Sequence, residues 1–100
     1  MKHYIPLHVH SHYSLLDGLS KPEQIANRCN KIGVNSCAIT EHGSISGAVQ
    51  MYSALKAKNI KPILGCELYL AFNDSCIKTK ENIKLTHFLV LAKNLEGWKN

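Results

Sequence analysis

Apolar runs with a period of two alternate along the chain with stretches of helical period. Residues 4–10 set Ile5, Leu7 and Val9 between Pro6, His8 and His10, which predicts a strand. A loop rich in Ser, Asp and Gly follows through position 19. Ser20-Lys21-Pro22-Glu23 predicts a helix start, with Ser20 as N-cap, Pro22 in the first turn and Glu23 at the capping-box position. Ile25, Ala26, Cys29 and Ile32 continue at helical spacing, and Gly33 is the expected stop. Residues 35–40 predict a second strand, 41–46 a polar turn, and 48–58 a second helix with Val49, Tyr52 and Leu55 on one face. Residues 61–72 predict a third strand, 73–84 a polar, lysine-rich excursion, 86–92 a fourth strand, and 94–100 the opening of a third helix.

Strands alternating with helices predict an α/β fold with parallel strands and crossover helices. No internal repeat, low-complexity segment or linker divides the 100 residues, so they form one domain at most. A hydrophobic fraction of 45% is enough to bury a core. A closed β/α barrel needs about 200 residues or more. The expectation is therefore an N-terminal piece of such a barrel, ending mid-fold.

Composition adjusts this picture only slightly. The net charge of +5 could favour a polyanion such as DNA. Lys56, Lys58, Lys61, Lys78, Lys80 and Lys84 read more simply as solvating helix ends and a loop, since no aromatic residues interleave with them. Cys29, Cys37, Cys66 and Cys76 form no C-x-x-C pair, which argues against a zinc knuckle. Cys37 and Cys66 lie in apolar runs and read as small buried hydrophobes. There is no apolar signal core near residue 1 and no run of membrane-spanning length, so the expected setting is a reducing cytoplasm with no membrane partner.

The candidate chemistry lies in the placement of histidines and acids. In parallel α/β folds, functional groups gather at the carboxyl ends of strands and in the loops that follow. His8 and His10 end the first predicted strand, Asp17 lies in the next loop, Glu41 and His42 follow the second strand, and Glu67 is within the third. His87 is the exception, near the start of its strand. Residues 8 and 10 of a strand point to one side, about 7 Å apart along the backbone, so two imidazoles can reach one cation. Imidazole and carboxylate together suit zinc, manganese or iron. Such a cluster acidifies water and clamps phosphate-ester oxygens.

Each signal has a plain structural alternative. An H-x-H pair is often just two surface or core histidines. A lone His87 on an apolar strand is more often a hydrogen-bonded core residue, and Asp17-Gly18 is an ordinary turn dipeptide. Cys66 and Leu68 read as buried on one face, which puts Glu67 on the other; in a parallel barrel that is the interior, where an unpaired carboxylate is costly. The conjunction at one mouth is stronger than any part. His3, near a terminus, and His12, in the loop, are left outside the site.

With these residues in view, the chain resembles the PHP (polymerase and histidinol phosphatase) domain. His8-Val9-His10-Ser11-His12-Tyr13-Ser14-Leu15-Leu16-Asp17-Gly18 is similar to the first motif, in the form that opens the alpha subunits of bacterial replicative DNA polymerase III. Ala38-Ile39-Thr40-Glu41-His42-Gly43 resembles the second motif, usually T-D-H-G. Pro62-Ile63-Leu64-Gly65-Cys66-Glu67 looks like the third, and His87 to Asn94 looks like the stretch that follows it. The resemblance covers nearly the whole chain in order and spacing. It implies part of a distorted seven-stranded β/α barrel with up to three divalent metals. By the family pattern, His8 and His10 would ligate the first metal, Glu67 would bridge it to the second, His87 would bind the second, and Asp17 and His42 the third. Glu41 stands where Asp is usual and would shift the hydrogen bonds beside the metals.

The family's late ligands and the polymerase's catalytic aspartates, which use magnesium, would lie beyond position 100, so these residues alone are expected to be inactive. The resemblance implies a DNA-directed DNA polymerase acting in DNA replication, with DNA and other replicase subunits as partners of the full-length protein. Its PHP domain would be either a metal-dependent 3′–5′ exonuclease or a stabilising domain. A stand-alone phosphoesterase such as histidinol-phosphate phosphatase is the alternative, and a degenerate module used only for packing is a third reading.

Overall fold

A computed structural model describes residues 4–74, 76–80 and 85–100. His3 and Lys84 lie outside the described residues. Helix α1 spans Pro22–Lys31, strand β1 Ser36–Ile39, helix α2 Ala48–Lys56, strand β2 Lys61–Ala71, strand β3 Leu85–Leu91 and helix α3 Leu95–Lys99. These elements fall close to the expected positions. The strand expected over residues 4–10 is a correction. That segment runs beside β1, where Pro6 and Val9 carbonyls accept from the Ala38 and Thr40 amides at 2.9 and 3.1 Å, but it bends at His8 and forms no strand. Three residues of the segment span two of β1 between these bonds, so a regular ladder cannot form. The Thr40 hydroxyl completes the join, accepting from the Val9 amide and donating to the Val9 carbonyl.

Two helix expectations also change. The N-cap of α1 is Lys21, not Ser20, and Gln24 rather than Glu23 closes the first turn by accepting from the Lys21 amide at 2.8 Å. In α2 the buried side is Met51 and Leu55, four residues apart, whereas Val49 and Tyr52 are exposed. Met51 and Leu55 join Ala26, Cys29, Val34, Cys37, Ile39 and Ile60 in the core between the helices and the sheet. Burial, with Cys29 close by, pushes the Cys37 thiol up to about 12, so it behaves as a small hydrophobe. All four cysteines are free.

The sheet order is β1-β2-β3. β1 pairs with β2 in parallel, Ser36 opposite Lys61 through Ile39 opposite Leu64, as an α/β unit with crossover helix α2 requires. The parallel expectation fails for the last strand: β3 runs antiparallel to β2, from Gly65 opposite Leu91 to Ala71 opposite Leu85. β2 thus lies between the two, its ladder with β1 ending at Leu64 and its ladder with β3 starting at Gly65. A Cβ on Gly65 would collide with the Val90 carbonyl oxygen, so only glycine allows the strands this close. On the far side from the histidines, a cavity of about 680 Å³ is lined by apolar groups that include Tyr52, Pro62, Leu95 and Trp98.

Candidate metal centre

The site begins with the backbone. The His42 position bridges to Glu67 in parallel just past the end of β1, with the Glu67 amide donating to the Glu41 carbonyl at 3.0 Å and the Gly43 amide to the Glu67 carbonyl at 2.7 Å. On β2, residues 67 and 69 share a face, and the register sets Leu89 opposite Glu67 and His87 opposite Tyr69. His87 therefore stands on the same face as Glu67. Its place near the start of β3 is explained by direction: an antiparallel β3 begins beside the carboxyl end of β2. Leu68, expected to be buried, is exposed on the opposite face, while Glu67 is 3% exposed.

The six candidate side chains converge. Glu67 Oε2 contacts His8 Nε2 and lies 3.0 Å from His10 Nε2, and Glu67 Oε1 lies 2.9 Å from His87 Nδ1 and 3.9 Å from His42 Nε2. The Nε2 atoms of His8 and His10 are 3.1 Å apart. Asp17 Oδ2 is 2.6 Å from His10 Nδ1 and 2.9 Å from His42 Nδ1. Three overlapping groups result: His8, His10 and Glu67; His10, Asp17 and His42; His42, Glu67 and His87. Within each group the possible ligand atoms all lie within 4.8 Å of one another.

Electrostatics follow from these contacts. Burial by itself would raise the Glu67 carboxyl, but hydrogen bonds and charge from His8 and His10 outweigh it and hold it below the usual range. The hydrogen bond with His42 lowers the Asp17 carboxyl most; desolvation opposes it, and His10 adds to the lowering. His42 Nε2 is buried with no hydrogen-bond partner among the described residues. A buried, unpaired nitrogen facing carboxylate oxygen fits a cation better than it fits a core histidine, since burying an unpartnered polar atom is costly. The imidazole and carboxylate donors suit a borderline divalent ion.

The Glu41 carboxylate directs its hydrogen bonds to the loop after His10. Glu41 is 1% exposed, and its carboxylate accepts from the Ser11 amide, the Ser11 hydroxyl and the Ser14 hydroxyl. Ser11 and Ser14 stand in the first motif with no role legible in the sequence, because a serine in a polar loop carries no burial signal. Tyr69 went unnoticed too: it packs on Gly43, with ring centroids 5.2 Å from His42 and 5.6 Å from His87. Beside Asp17 and His42 opens a cavity of about 480 Å³ lined also by Tyr13, Leu15, Leu16, Ser44, Ser46 and Tyr69. Leu16 there is fully exposed in the left-handed region, at φ 63°, a conformation disfavoured for a non-glycine residue.

An α/β sheet with imidazoles and carboxylates gathered at one end defines a class of protein with a candidate divalent-metal site. The chain belongs to the PHP domain family, whose model matches residues 6–100. Among curated proteins it is 40% identical over 99 residues to the DNA polymerase III subunit alpha of Helicobacter pylori, and 41% identical over 99 residues to that of Borreliella burgdorferi. Those matches cover 99% and 97% of this chain but only 8% and 9% of the relatives' length. Among solved structures it is similar to an amidohydrolase from Chromobacterium violaceum holding sulfate and no metal, with TM-score 0.69 and 23% identity. It is also similar to a structure from Bifidobacterium adolescentis assigned as a metal-dependent phosphoesterase, with TM-score 0.68 and 22% identity. Each covers 88% of this chain and 27% of the neighbour. These likenesses show the fold, and the expected class, part of a β/α barrel, stands.

Proposed function

We propose that these residues are the N-terminal part of the PHP domain of a bacterial replicative DNA polymerase alpha subunit, and that the clustered histidines and carboxylates form a metal-dependent phosphodiesterase site. The convergence of six ligand-type side chains, Glu67 among them, in three overlapping groups carries the reading. The alpha-subunit relatives at about 40% identity support the polymerase over a stand-alone phosphatase.

His8, His10 and Glu67 would hold one cation, Glu67 and His87 with His42 a second, and Asp17, His10 and His42 a third. Zinc, manganese or iron suits these donors. Divalent ions there would supply Lewis acidity toward a phosphate ester. The chain's own residues do the rest. Glu67 spans two groups with its two oxygens. Asp17 Oδ2 and the Nδ1 atoms of His10 and His42 face one another, while the Nε2 atoms of both imidazoles face Glu67. The cavity between Tyr13 and Tyr69 offers space for the group that the phosphate links. The catalytic aspartates of polymerisation belong outside these residues. DNA and other replicase subunits are the partners of the whole protein, which acts in the cytoplasm; no helix among the described residues is long and apolar enough to cross a membrane.

The test uses the intact protein and a 3′-labelled oligonucleotide with a mismatched end. Manganese or zinc should support 3′–5′ trimming, and Glu67→Gln should reduce trimming by roughly 100-fold or more while polymerisation persists. Cleavage of a small phosphomonoester but no oligonucleotide would favour the phosphatase. A protein that binds no metal would favour a purely structural role.

A further inference from the structure

We propose that Glu41 is a positioning residue: its buried carboxylate sets the loop of residues 11–18 and so places Asp17 and His42 for the group they share. The proposal rests on the metal-binding reading of the site, and not on which phosphate ester is cleaved there.

The argument follows the hydrogen bonds outward from the carboxylate. Glu41 Oε1 accepts from the Ser11 hydroxyl and Oε2 from the Ser14 hydroxyl, while the Ser11 amide lies 3.2 and 3.1 Å from the two oxygens. With its proton committed to Glu41, the Ser14 hydroxyl turns a lone pair toward the His42 amide, which donates to it at 2.9 Å. Ser14 thereby ties the loop to the residue after Glu41. The Ser14 carbonyl accepts from the Asp17 and Gly18 amides at 3.1 and 2.9 Å, so the turn that carries Asp17 hangs on Ser14. Asp17 in turn meets His10 and His42. One carboxylate thus controls both ends of the Asp17–His42 contact without touching either side chain. Ligand geometry depends on such supporting bonds.

Room for the longer side chain comes from Gly47. A Cβ there would stand 2.8 Å from Glu41 Oε1 and 2.9 Å from the Tyr13 ring. The reach of Glu41 and the bare backbone at Gly47 are therefore coupled.

The experiment titrates the intact protein with Mn²⁺, followed by electron paramagnetic resonance, and records imidazole ¹⁵N shifts of His10 and His42 in the metal-free state. Glu41→Gln should weaken the class of Mn²⁺ site that uses His42 at least tenfold and leave the His8, His10 and Glu67 class near wild type. It should also change the Nδ1/Nε2 tautomer signature of His42, and Glu41→Asp should restore part of both. Gly47→Ala should weaken that same class more in the wild type than in the Glu41→Asp background; the Tyr13 contact is common to both backgrounds. Unchanged histidine shifts in Glu41→Gln overturn the proposal even if the protein takes up no metal. Equal loss at every metal site, with a collapse of cooperative unfolding, overturns it as well, because Glu41 would then serve the fold alone. Failure of wild-type oligonucleotide trimming would count against the proposed phosphodiesterase and leave these readouts intact.

Discussion

Glu67 and Asp17 organise the site at the level of single residues. Both carboxyls are held below their ordinary values of 4.5 and 3.8, Glu67 by His8 and His10 acting against its own burial, and Asp17 chiefly by His42. A carboxyl lowered by folding stabilises the native state above its ordinary value, and that contribution fades as pH falls through the lower folded value. Thermal unfolding of the intact protein in excess chelator should therefore show a Tm that falls as pH drops below about 4.5. Glu67→Gln should flatten that fall. An identical pH slope in wild type and variant would mean that the imidazole contacts of Glu67 are not made in solution.

At the scale of elements, β2 decides the architecture. It is the middle strand, parallel to β1 on one edge and antiparallel to β3 on the other, and Gly65 stands where the β3 ladder begins. Gly65→Ala would drive a methyl group into the Val90 carbonyl and the Leu91 side chain. Overpacking of this kind costs about 1–3 kcal/mol, so a reduced Tm is expected, with His87 drawn away from Glu67. A variant as stable as the wild type would contradict the close strand approach. The position of each element was legible in the periodicity, but the direction of β3 was not. An alternating pattern is the same read either way along the chain, and the 13 residues between β2 and β3 allow a return as well as a crossover. The buried face of α2 was also misjudged, because Val49 and Tyr52 are as apolar as Met51 and differ only in what lies opposite them.

Across the whole molecule, the candidate metal centre joins segments that are distant in sequence: the stretch before α1, the turn after β1, the middle of β2 and the start of β3. Cations bound there would act as cross-links present only in the folded state. A ligand at 100 times its Kd stabilises by about 2.7 kcal/mol. Dialysis of the intact protein against a chelator should therefore lower the Tm by several degrees, and zinc or manganese should restore it. No change on metal removal and return would separate the fold from the proposed cation sites.

The sequence by itself determined the α/β class, the order of elements and the pool of ligand-type residues, because hydrophobic period and side-chain chemistry are local properties. It also carried the family, through motifs that keep their residues and spacing. Only the tertiary structure decided that residues 4–10 bend out of strand geometry, that β3 returns antiparallel and brings His87 to Glu67, and that Glu41 faces Ser11 and Ser14 instead of the histidines. Those outcomes depend on which backbone lies alongside which, and such contacts between remote segments leave no periodic mark on either one.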